Sequence, residues 1–126
     1  ANLRVGPGRN YKVIYKYITK RLPVLISAKY DHWRKIKDPD GTEGWLHKGQ
    51  LSSKRYVISI QSCQLYELCN NDSKIIANIK KNVVMKLIES RPIWCYIEVM
   101  HNKRKIKGWI QKKDLFGILN SENTTY

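Results

Sequence analysis

At 126 residues, the chain has room for one ordinary domain or two very small ones. Lys and Arg number 24 against 10 Asp and Glu, a net charge of +14, and 42% of residues are hydrophobic, with eight Tyr and four Trp. This composition excludes collagen-like, low-complexity and wholly disordered chains. No apolar run approaches the roughly 18–20 residues that a membrane-spanning helix needs.

The first elements in chain order are a punctuated opening and a polar stretch. Gly6-Pro7-Gly8 interrupts the chain early, and the residues from there to Leu22 read as a long loop rich in Lys and Tyr. Val24-Leu25-Ile26, Trp33-Arg34-Lys35-Ile36-Lys37 and Gly44-Trp45-Leu46-His47 are short, β-branched or aromatic, and bounded by turn residues, as strands are. Between the last two, Asp38-Pro39-Asp40-Gly41 predicts a hairpin, because Pro presets φ and Gly accepts positive φ. A second hairpin is predicted around His101-Asn102-Lys103-Arg104, and short helical turns near His47–Leu51 and Gln111–Leu115. No segment sustains a 3.6-residue apolar period long enough for an ordinary helix.

A weak duplication organises these elements. Leu3, Trp33-x-x-Ile36, Gly44-Trp45-Leu46 and Leu51 recur in order as Leu65, Trp94-x-x-Ile97, Gly108-Trp109-Ile110 and Leu115. In both halves a Leu follows the Gly-Trp tryptophan by six positions. The expectation is two all-β copies, residues 1–55 and 56–126, each a small, partly open five-stranded barrel. Units of this size are marginal alone, so the copies are expected to pack together, with Tyr56-Val57-Ile58-Ser59-Ile60 between them. The four tryptophans, at matching places, are expected in the cores. Tyr11, Tyr15, Tyr17 and Tyr30 are expected at the surface.

The residues Asn2-Leu3-Arg4-Val5-Gly6-Pro7-Gly8, then Tyr11 and Val13, then Trp33-Arg34-Lys35-Ile36 and Asp40-Gly41-x-x-Gly44-Trp45-Leu46 resemble the bacterial SH3-like domain. The likeness is close over 1–51 and looser over 63–117, where Leu65-Tyr66-Glu67-Leu68-Cys69-Asn70 replaces the Gly-Pro-Gly opening. The resemblance implies tandem SH3-like barrels of an exported protein, periplasmic or of the cell envelope, that bind wall peptide, glycan or a partner protein. The chain opens Ala-Asn-Leu, as a cleaved export signal or a trimmed end would equally leave it.

Catalysis is not expected. His32, His47 and His101 stand near no recognisable nucleophile motif, and Cys95, beside Trp94 on a predicted core strand, reads as an apolar filler. Neither a cofactor nor a metal is called for. Asp38-Pro39-Asp40-Gly41 departs from a calcium loop, which needs Gly at its sixth position, and Cys63, Cys69 and Cys95 are too few for a closed zinc site.

The expected ligand site is a groove between the Gly6–Leu22 loop and the turn after Trp33, lined by Arg4, Tyr11, Arg34 and His47. Arg4 could hold a carboxylate through two hydrogen bonds, and Tyr11 could pack on a peptide or sugar ring. The competing role for both is to brace the loop. A nucleic-acid-binding barrel is the alternative function, since the charge surplus exceeds the net charge of about 2–8 that solubility asks for. Lys103, Lys105 and Lys107 would then share one strand face, with Ile106 on the other.

Overall fold

The computed structural model describes residues 1–19, 21–51 and 54–117. Its first sheet contains β1 (Asn2–Arg4), β2 (Val13–Lys16), β3 (Leu25–Tyr30), β4 (Trp33–Lys37) and β5 (Glu43–His47), in the order β2-β1-β5-β4-β3. The second contains β6 (Tyr56–Ser59), β7 (Cys63–Tyr66), β8 (Ile75–Ile79), β9 (Val84–Ser90), β10 (Trp94–His101), β11 (Arg104–Gln111) and β12 (Leu115–Phe116). Its order is β12-β6-β9-β10-β11-β7-β8. The fold is all-β, two small barrel-like sheets in tandem.

The duplication survives at the level of register. Trp33, Lys35 and Ile36 face His47, Trp45 and Gly44; Trp94, Tyr96 and Ile97 face Gln111, Trp109 and Gly108. Arg4 pairs with Trp45 as Tyr66 pairs with Trp109. The irregularities coincide too, after Leu3 and Leu65, and beside Ile36 and Ile97. A shared steric cause fixes one of these places. A Cβ on Gly44 would lie 2.6 Å from the Leu3 side chain and 2.9 Å from the Arg4 carbonyl oxygen; on Gly108 it would lie 2.7 Å from Leu65 and 2.8 Å from the Tyr66 oxygen. Only glycine lets β1 and β7 cross so closely over β5 and β11.

The turns follow their local chemistry. Asp38 Oδ1 accepts from the Asp40 and Thr42 N–H groups, and Gly41 has φ +89°, so the predicted hairpin closes between β4 and β5. Asn102 and Lys103 both have positive φ in the two-residue turn between β10 and β11. The short helical turns are single 3₁₀ turns at Lys48–Gln50 and Lys112–Asp114.

Three sequence expectations change. The stretch read as loop up to Leu22 contains β2, whose four residues are all exposed, leaving no alternation to reveal a strand. The second sheet gains β6 and β12 beyond five strands, so Tyr56–Ser59 is part of the second unit's ladder. Tyr56 nevertheless reaches the junction, where it closes a 40 Å³ crevice with Leu22, Val24 and Ile26 of the first unit.

The two cores are unequal. Leu3, Val24, Ile36 and Leu46 fill the first, whereas ten buried residues, Cys95 among them, fill the second. At roughly 1.5–3 kcal/mol per buried aliphatic side chain, the first core is thin for an independent unit.

The third change concerns two of the tryptophans: Trp33 and Trp109 are buried as expected, whereas Trp45 and Trp94 are only half-buried. None of the four belongs to either apolar cluster. Trp33 and Lys35 alternate with inward Ile36, and Trp45 alternates with inward Gly44 and Leu46, so the indoles lie on the outward faces. Neighbours and loops cover Trp33 and Trp109 there.

Candidate binding face

On the outward face of the first sheet, Lys35, Trp45 and Arg4 form one cross-strand row, and Trp33 and His47 form the next. Above β1 and β2 stands the loop from Val5 to Lys12, closed by Val5 N–H to the Lys12 carbonyl at 3.0 Å. Within it, Gly8 N–H donates to the Gly6 carbonyl and Tyr11 N–H to the Gly8 carbonyl.

Arg4 and Tyr11 meet in this loop. One guanidinium nitrogen, Nη1, donates to the carbonyls of Arg9 at 3.1 Å and Tyr11 at 2.9 Å. The Tyr11 ring lies over the glycines, so close that a Cβ on Gly6 would fall 2.4 Å from it. The residue as a whole is 44% exposed, which leaves part of the ring open to a ligand. Arg4 Nε and Nη2 make no hydrogen bond among the described residues, which leaves donors for a carboxylate. Bracing and ligand recognition are therefore compatible roles for the one side chain.

Arg34 and His47 do not join them in one groove. Arg34 pairs across the sheet with Leu46 and points inward, 7% exposed, its Nη1 donating to the Asp31 and Trp33 carbonyls. His47 points outward, its Nδ1 accepting from Gly49 N–H at 3.0 Å and its ring edge-on to Trp33. It caps the 3₁₀ turn and lies beside His32, 6.0 Å between ring centroids. Arg34 thus serves the interior, while His47, Trp33 and His32 form a small aromatic group at one end of the face.

The second unit repeats the loop backbone without its aromatic side chain. Glu67 N–H donates to Lys74 O, Asn70 N–H to Leu68 O, and Ser73 N–H to Asn70 O, the same three bonds in the same order. Ser73 stands where Tyr11 does, and its Oγ accepts from Leu68 N–H. Leu68 can replace Gly6 because no ring lies over it. Tyr66 replaces Arg4, and Arg91 reaches in instead, over Trp109 at 4.5 Å and with Nη1 3.4 Å from Cys69 Sγ. Around it, Tyr66 packs edge-on to Trp94 and Tyr96 against Trp109. This aromatic face was hidden in the sequence by the reading of tryptophan as core. The odd spacing of Trp94 and Ile97 was the available signal, since on a strand it puts the two on opposite faces.

Among the described residues no helix is long and apolar enough to cross a membrane, and no group of three His, Cys, Asp or Glu is placed to hold a metal. No curated protein matches the chain. Residues 1–53, which include the whole first sheet and its Tyr11 loop, match the family model described as the bacterial SH3 domain; the first unit is a bacterial SH3-like domain, a binding-module type.

Proposed function

We propose that the chain is a non-catalytic binding module of the bacterial cell envelope, built from units 1–55 and 56–126, that recognises wall peptide, glycan or a partner protein through its first unit. The observation that carries this reading is Tyr11, half-exposed on the glycine loop and held in place by Arg4. A pre-positioned aromatic face loses little entropy when a sugar or peptide packs on it. Arg4 Nε and Nη2 would supply a charged fork for a ligand carboxylate. Support for an envelope setting comes from the bacterial SH3 domain match, since such domains are common in exported proteins. The second unit, with Ser73 in place of the ring, would contribute scaffold in place of a duplicate site.

The test is co-sedimentation with purified peptidoglycan at physiological salt. The wild-type chain should pellet, and Tyr11→Ala should not, although it leaves the charge unchanged. Wild-type protein that stays in the supernatant would remove wall attachment. Equal pelleting of Tyr11→Ala would show that charge alone accounts for it.

A further inference from the structure

A second cleft, of about 480 Å³, lies where the two units meet. Arg21 of the first unit and Lys86 and Lys105 of the second line it, together with Tyr56, Val84 and Met100. The apolar members are available for contact: Val84 is 40% exposed and Met100 56%. Glu98 is the one carboxylate among the lining residues described. It sits in a cross-strand row between Lys86 and Lys107, behind which Tyr56 continues the line. No direct ion pair joins Glu98 to either lysine among the described residues, so these charges are not consumed by one another.

Cations from both units around an apolar floor suit a ligand that is anionic and partly apolar. The central carboxylate then separates the candidate classes. A polyphosphate backbone brings only acceptors and would be repelled by Glu98. An extended peptide brings main-chain N–H groups that Glu98 can accept, while its acidic side chains meet Arg21, Lys86 and Lys105 and an apolar one rests on Val84 and Met100. We infer that this junction cleft binds an acidic segment of a protein partner, with carboxylates flanking an apolar residue. It is a different site from the Tyr11 loop and does not depend on wall recognition there.

The experiment is fluorescence anisotropy of the full chain with a labelled Glu-Glu-Leu-Leu-Glu-Glu peptide. Lys86→Glu combined with Lys105→Glu should weaken binding about tenfold or more. Arg21→Glu, which alters the other unit and leaves the second sheet untouched, should weaken it independently. Lys29→Glu combined with Lys37→Glu, an equal charge change at exposed positions away from the cleft, should have little effect. Three outcomes overturn the inference: no binding by the wild-type chain, equal weakening by the distant pair, or tighter binding of a single-stranded DNA of matched charge. Because Tyr11 is intact in every variant, peptidoglycan co-sedimentation of the same proteins reads the first site separately.

Discussion

The Tyr17 hydroxyl donates to Asp38 Oδ2 at 2.8 Å and so ties the chain leaving β2 to the turn between β4 and β5. Asp38 is 6% exposed and spends its other oxygen on the Asp40 and Thr42 N–H groups. One buried carboxylate therefore holds both its own turn and a distant segment. Tyr17, expected at the surface, is half-buried against the first core through this bond. Asp38→Ala should cost about 3 kcal/mol in urea unfolding, since several charge-assisted bonds are lost together, and Tyr17→Phe about 1 kcal/mol. Equal losses from the two variants would mean that the turn bonds contribute nothing.

The chain should become less stable as alkalinity rises. Burial, with Asp114 as a lesser cause, pushes the half-buried Cys63 thiol up from 9.0 to about 11. Burial and then the Asp38 hydrogen bond raise the Tyr17 hydroxyl well above its ordinary 10.0. In both cases the folded state keeps a proton that the unfolded chain releases more readily. Their stabilising effect is complete below about pH 9 and is lost as pH rises through 11 and beyond. The urea midpoint should fall across that window, and less steeply in Tyr17→Phe; a flat midpoint would contradict the assignment.

Gly44→Ala and Gly108→Ala should each cost about 1–3 kcal/mol, because the new methyl meets a buried leucine and a backbone oxygen. Gly41→Ala has open space around it and should lose about 1 kcal/mol, from its positive φ alone. Urea midpoints of the three variants check both causes. A neutral Gly108→Ala would break the equivalence of the two crossings.

Arg91→Ala should cost about 0.5–1 kcal/mol, the worth of an exposed cation over an indole. Its ion pair with Glu89 is half-exposed and adds little. Tryptophan fluorescence should shift to the red as Trp109 loses its cover. An unchanged spectrum would place the guanidinium elsewhere in solution.

Much of the fold was legible because its signals are local. The Asp38–Gly41 hairpin, the His101–Arg104 turn and both 3₁₀ turns follow from residues within a few positions of one another. β2 was not legible, since Val13, Ile14, Tyr15 and Lys16 are exposed on both sides and show no alternation. Of the four residues expected in one groove, Arg4 and Tyr11 share a loop that their own sequence builds. Arg34 and His47 lie on opposite faces of their strands, a matter of parity that the broad expectation of a groove ignored.

By itself the amino-acid order determined that two related units follow one another, each of short antiparallel strands with glycine at the same crossing. Those features rest on strand period, turn chemistry and steric exclusion at single positions, which act wherever the chain goes. Only the tertiary structure decided that the indoles face outward, that Arg34 turns inward, and that Arg21 meets Lys86 and Lys105 across the junction. Such outcomes depend on how strands far apart in sequence register against each other and on what loops then cover them.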